Sequence, residues 1–217
     1  MLRRCSVLEF TILVGGSMVS GEGILLVVGG YLAGSIPTGV VLAKLFSTKD
    51  IRQEGSGNIG ATNVYRVLGV RLGVLTLVGD VVKGAIPVIL TRYLMDSDMW
   101  IAGVAFPTFL GHLFPIFIRF RGGKGVATAL GIFLVIAPLM VPCLTIIFIL
   151  VVMKWKYVSL GSLTASALMP VFLCVAGYPL VYVDLSVIIG CLIFYRHWDN
   201  IKRVREGREK KVSRAGS

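Results

Sequence analysis

Residues 125–153 read G-V-A-T-A-L-G-I-F-L-V-I-A-P-L-M-V-P-C-L-T-I-I-F-I-L-V-V-M, and this stretch decides the fold. It runs for 29 residues without a charge, bounded by Lys124 on one side and by Lys154 and Lys156 on the other. A single helix across it would put one basic cluster outside the membrane. Short cytoplasmic loops hold the excess of Lys and Arg, so two helices bent near Pro138–Pro142 keep both clusters inside. Each then has roughly 14 residues, short of the ~20 that cross a ~30 Å hydrocarbon layer. Turns borrowed from the helix ends, or a locally thinned membrane, make up the difference.

The neighbouring runs follow the same charge logic. Tyr157–Tyr195 carries only Asp184 as a charge. It would measure about 58 Å as one helix, nearly twice a bilayer. Gly177-Tyr178-Pro179 supplies a turn, and both ends (Lys156, Arg196) are basic. Leu72–Ile118 divides at Asp96-Ser97-Asp98 between the Arg66/Arg71 and Arg119/Arg121/Lys124 clusters, again a hairpin. Gly23–Phe46 is the first secure span. Its Gly34-Ser35-Ile36-Pro37-Thr38-Gly39 patch weakens the helix, so the freed backbone groups must be satisfied inside the protein.

The expected fold is an all-α integral membrane protein with seven transmembrane helices, N-terminus outside and C-terminus cytoplasmic. One membrane domain covers 21–209, a basic cytoplasmic tail covers 210–217, and 1–20 is an extension. In that extension Arg3 and Arg4 precede a short apolar stretch broken by Glu9 and Gly15-Gly16. It fits a signal-like segment, an interfacial helix, or sequence upstream of an initiator at Met18.

Composition agrees. The chain is 56% hydrophobic and 15% charged, where soluble domains carry about a quarter charged residues; its mean hydropathy is +0.86. In a soluble protein the net charge of +11 would suggest nucleic acid. Here the basic residues flank apolar runs, so lipid headgroups are the expected partner and no nucleic acid is. Cys5, Cys143, Cys174 and Cys191 lack metal-type spacing and read as small apolar residues.

Chemistry concentrates in the loops assigned to the cytoplasmic face. Arg119–Thr128 is R-F-R-G-G-K-G-V-A-T. Gly122, Gly123 and Gly125 bracket Lys124 where a polar connection meets an apolar helix. Glycines let amides turn toward one point, and a helix start adds partial positive charge, so the stretch reads as a phosphate seat or as a tight interhelical turn. It is not a nucleotide P-loop, because Ile118 and Gly125 stand where that pattern needs Gly and Ser or Thr. Gly57-Asn58-Ile59-Gly60-Ala61-Thr62 matches Gly123-Lys124-Gly125-Val126-Ala127-Thr128 at Gly, Ala and Thr, which suggests a second anion seat. Asn58, Asn63 and Arg66 fall at helical spacing and could face one cavity, with Arg66 as a forked phosphate clamp.

Asp80 and Lys83 share a face inside a span, as a neutralising pair or as catalysts. His112 reads as a packing or hinge residue, since no second metal ligand stands four residues on. Neither histidine begins a His-x4-Asp acyltransferase motif. His197 and Asn200 share a helix face at the inner end of the last span. His197 could be a general base, a phosphate donor, or an interfacial residue. Ser159 and Ser162 offer hydroxyls at similar depth, without the Gly-x-Ser-x-Gly setting of a nucleophile.

Taken in order, Gly34-Ser35, Gly55–Arg66, Gly111-His112 through Thr128, Tyr157-Val158-Ser159-Leu160, and Tyr195-Arg196-His197 with Asn200 and Glu209 closely resemble the PlsY family. These are bacterial acyl-phosphate:glycerol-3-phosphate acyltransferases. The resemblance runs from about Gly23 to Glu209. It implies a seven-span inner-membrane enzyme with a cytoplasmic site, joining an acyl phosphate to glycerol 3-phosphate without acyl-CoA, metal or other cofactor. The expected substrate-binding residues are Arg66, Lys124, Ser162, Asn58, Asn63, Gly57, Gly122, Gly123 and Gly125; His197, Asn200 and Ser35 are the expected catalytic set. The substrate phosphate or His197 would take the hydroxyl proton. A small transporter, or a lipid-binding scaffold using its basic tail, is the competing reading.

Overall fold

Proline and glycine divide the apolar runs where their backbone chemistry requires it. The computed structural model describes residues 11–14 and 17–211, with side chains from residue 21 onward. A two-stranded antiparallel hairpin, β1 (Thr11–Val14) and β2 (Ser17–Ser20), pairs Thr11 with Ser20. The helices follow: α1 (Gly21–Gly34), α2 (Thr38–Phe46), α3 (Ala61–Leu68), α4 (Val70–Met95), α5 (Asp98–Leu113), α6 (Val126–Ile136), α7 (Met140–Trp155), α8 (Val158–Val175), α9 (Leu180–Arg196) and α10 (Trp198–Arg205). A 3₁₀ turn, Ile116–Ile118, separates α5 from α6.

From Gly21 onward the regular elements are helical, as expected. Residues 11–14 and 17–20 pair as this hairpin and so do not form the interfacial helix that is one reading of the extension. Arg3, Arg4 and Glu9, and tail residues 212–217, lie outside the described residues. The run 125–153 does form two helices, α6 and α7, parting at Ala137–Leu139. The first span is not continuous: α1 and α2 meet at 44°, and α9 and α10 at 58°. Three helical segments are long and apolar enough to cross a membrane, or five if each bent pair is one span; α6 and α7 are shorter apolar helices.

The bundle packs α6 on α4, α1 on α5, and α7–α8–α9 in sequence. Close approach explains the glycines here. A Cβ on Gly131 would overlap the Val81 carbonyl oxygen, and one on Gly84 would overlap that of Thr128, so α4 and α6 meet backbone to backbone. Gly34 and Gly111 do the same for α1 and α5. Phe109, Ile132, Leu173 and Ile189 fill the core, while Leu25, Val78, Ile86 and Val175 face outward, as lipid-exposed positions do.

Broken helices leave carbonyls that lipid cannot solvate. The Ile36 carbonyl, freed by the α1–α2 bend, accepts a hydrogen bond from Lys83 Nζ at 2.7 Å. Lys83 Nζ lies 2.8 Å from Asp80, so the neutralising pair is what the structure shows. His112 Nδ1 is 3.8 Å from the same carboxylate. At the far end of α6, Arg92 donates to Val135 O at 2.7 Å and satisfies the last turn of this short helix.

A side chain at Gly131 therefore forces α4 and α6 apart. Gly131→Val is expected to destabilise by about 1–3 kcal/mol, read as a lowered thermal midpoint in detergent. Gly29→Ala, where nothing lies within 4 Å, should leave the midpoint unchanged or raise it slightly.

Candidate active site

The loop before α6 is held on both edges. Its amides pair with the end of α5: Gly122 N–H donates to Leu113 O (3.2 Å) and Gly123 N–H to His112 O (3.1 Å). Its carbonyls accept from Arg196 of α9, Nη2 to Gly122 O (2.6 Å) and Nε to Gly123 O (3.0 Å). A Cβ on Gly122 or Gly123 would overlap His112, so only glycine fits this sandwich. Gly125 then turns at φ 83°, and α6 begins at Val126. The first amides of α6 keep no intrahelical acceptor and carry the positive end of its dipole.

Lys124, between these anchors, donates from Nζ to Asn200 Oδ1. Burial, with Arg203, Arg66 and Arg196 nearby, brings its ammonium group down to about 8, against the pull of Glu209.

A second loop is built around Asn63. Its amide oxygen accepts from Ser56 N (2.7 Å), and its nitrogen donates to Ile51 O (2.9 Å) and Glu54 O (3.1 Å). Asn58 Oδ1 accepts from Gly60 N at 2.8 Å, shaping the approach to α3. Arg66, in the last turn of α3, donates to Lys210 O at 3.2 Å.

The third wall is α8 with α10 and the segment after it. Glu209 is buried at 9% exposure. Its Oε1 accepts from Ser159 Oγ (2.9 Å) and from Asn200 Nδ2, and its Oε2 accepts from Arg203 Nε (2.8 Å). Burial opposes ionisation, but the bonds from Arg203, Asn200 and Ser159 outweigh it and hold the carboxyl below its ordinary 4.5. Asn200 therefore bridges Glu209 to Lys124. His197, at the α9–α10 bend, has Nδ1 2.8 Å from Ile193 O. A carbonyl only accepts, so Nδ1 carries the hydrogen and Nε2 is left for other partners.

These walls enclose a cavity of about 930 Å³. Its polar end is lined by the starts of α3 and α6, Arg66, Lys124, His197 and Asn200. Arg203, Arg208, Lys210 and Lys211 add positive charge beside the carboxylate of Glu209. Its other end runs between α4, α6, α7, α8 and α9, over Leu77, Phe133, Leu144, Phe148, Met169 and Ile189. Such a space takes an anionic head and an apolar chain together.

Arg66, Lys124, Ser162, Asn58, Asn63, Gly125, His197 and Asn200 all line this cavity. Four expectations change in detail. Asn63 has both polar atoms on backbone, so it shapes a loop instead of gripping a ligand. The amides of Gly122, Gly123 and Gly57 are bonded within the protein, Gly57 to Glu54 O, so they are not donors to an anion. Ser162 Oγ donates to Val158 O at 3.0 Å, the backbone bond usual for helical serines. Ser35 does not line the cavity: it is fully buried at the α1–α2 break, its hydroxyl without a hydrogen-bond partner among the described residues. Sequence reasoning missed Glu209 as a site residue, though it stood in the resemblance.

A family model described as Glycerol-3-phosphate acyltransferase matches residues 24–207. A glycerol-3-phosphate acyltransferase of Geotalea daltonii is 49% identical over 191 residues, covering 88% of this chain and 98% of the relative. That of Geobacter metallireducens is 52% identical over 189 residues, covering 87% and 96%. The chain is also similar to a crystal structure of PlsY (YgiH), an integral membrane glycerol 3-phosphate acyltransferase, in its glycerol 3-phosphate form. There the identity is 42% and the TM-score 0.86, over 89% of this chain and 96% of that one. The lysophosphatidic acid form gives 40% and 0.83. With the match extending over nearly the whole helical bundle, this chain belongs to the glycerol-3-phosphate acyltransferase family.

Proposed function

We propose that this protein transfers a fatty acyl group from acyl phosphate to the 1-hydroxyl of glycerol 3-phosphate, giving lysophosphatidic acid and phosphate. The observation that carries this reading is one cavity with a cationic mouth and an apolar interior, in a chain of this family. α1 with α2, then α4 to α9, make seven membrane spans in a single domain over 21–209, with the N-terminus outside. The cavity mouth, Arg66 and the α10 tail lie on the cytoplasmic side of the inner membrane. Support comes from the clustering of Arg66, Lys124, His197 and Asn200 at one end, while Arg92 and Asp96 mark the other.

An acyl phosphate is already activated, so no enzyme nucleophile or covalent intermediate is needed. The site's task is to hold two anions together and steady the charge that develops on the carbonyl oxygen. Lys124 and the α6 amides grip the phosphate of glycerol 3-phosphate, and Arg66 with the α3 start grips that of the acyl donor. Asn200, fixed by Glu209, aims Lys124. The proton of the attacking hydroxyl points at a phosphate oxygen of the acyl donor and leaves on the departing phosphate, while His197 Nε2 accepts from the neighbouring hydroxyl of glycerol 3-phosphate and orients the molecule. The acyl chain lies over Phe133, Phe148 and Met169. Purified protein should release phosphate only when both substrates are present. Movement of labelled substrate into liposomes without turnover would establish the transporter instead.

Removing a charge-assisted contact costs about 1.5–3 kcal/mol, so Lys124→Ala should raise KM by roughly 10- to 100-fold. Because burial brings the free ammonium down to about 8, KM for glycerol 3-phosphate should be steady from about pH 7, where the substrate phosphate is largely ionised, up to that pH. It should rise above it as the cation is lost. Lys124→Arg, charged throughout, should abolish that rise even where it binds less well.

Glu209→Gln places an amide donor against Arg203 or Ser159 and removes the counterion. A thermal midpoint lowered at pH 7, with a raised KM, is expected. The carboxyl is held below 4.5 when folded, so its stabilising effect is fully present above that pH. The gap between wild type and variant should close only as pH falls further.

A further inference from the structure

Arg196 is a long cation at the inner end of a span, a position that ordinarily marks only orientation. Its bonds serve another purpose. The guanidinium is half-buried, donates in parallel to the carbonyls of Gly122 and Gly123, and lies 5.9 Å from the Phe114 ring. These two glycines already give their amides to α5. With Arg196 in place, all four of their backbone polar groups are fixed, and Lys124 is the next residue. Arg196 also directly precedes His197 and stands four residues before Asn200, the partner of Lys124 Nζ. One side chain thus ties the loop carrying the cation to the helix junction carrying its acceptor.

We propose that Arg196 is a positioning residue, whose two-pronged grip on the Gly122 and Gly123 carbonyls sets Lys124 at the height where an anion meets it. Lysine cannot reproduce this grip: a single ammonium has no planar fork to match two successive carbonyls. Arg196 touches no substrate in this scheme and acts through the loop. The inference rests on the reading of Lys124 as an anion clamp.

The test is a double-mutant cycle on purified full-length protein with Lys124→Ala, Arg196→Lys and the pair, measuring kcat and KM for glycerol 3-phosphate from about pH 7 to pH 9. Arg196→Lys should raise that KM tenfold or more and flatten its alkaline rise. The pair should bind no worse than Lys124→Ala alone, because the displaced loop has already lost the contact. If Lys124→Ala leaves KM unchanged, the clamp reading itself fails. If Lys124→Ala raises KM but Arg196→Lys does not, or the two losses simply multiply, only the positioning role is overturned. Arg196→Gln is read in the same cycle. Failure of both Arg196 variants to fold assigns the residue to stability and overturns the proposal.

Discussion

A helix that breaks inside a membrane exposes carbonyls to a solvent that cannot hydrogen-bond, and this constraint organises the protein. The answer is repeated at three places with the same device. Lys83 reaches the Ile36 carbonyl at the α1–α2 bend, Arg92 reaches Val135 at the end of α6, and Arg196 reaches Gly122 and Gly123 before α6 begins. Each is a long basic side chain from a neighbouring helix, binding backbone where water would bind in a soluble protein. Charge neutrality is handled separately, since Lys83 has Asp80 beside it.

That device has an electrostatic by-product at the cavity. Burial is the main reason that the Lys124 ammonium group is held less firmly than an exposed lysine, and the nearby Arg203, Arg66 and Arg196 add to it. An incoming phosphate relieves the crowding, which makes the site more selective for anions than any one residue would. Glu209 prevents the cluster from repelling itself apart. Its carboxylate gathers Ser159, Asn200 and Arg203, from two helices, into one wall.

Much of this was legible in the residues. Charge balance across 125–153 predicted the division into α6 and α7, and each Gly-rich stretch does open a helix. The roles of individual polar groups were less visible, because they depend on partners far along the chain. Gly122 and Gly123 look like donors until His112 and Leu113 are seen to take their amides. Asn63 looks like a ligand grip until its amide is found bridging the 51–56 loop. Ser35 sits in a polar patch that faces the bundle and not the cavity. Glu209, within a segment of many cations, has the composition of a solvated tail, and only the fold shows it buried.

The Glu209 wall also divides the cavity between the bundle and the segment that follows it. The carboxylate that fixes Asn200 lies beyond α10, so a chain cut before Glu209 would keep every helix that walls the apolar compartment and lose the partner that holds Asn200. The greasy interior and its cationic entrance are thus separable parts, and removing a few residues would dismantle one while sparing the other.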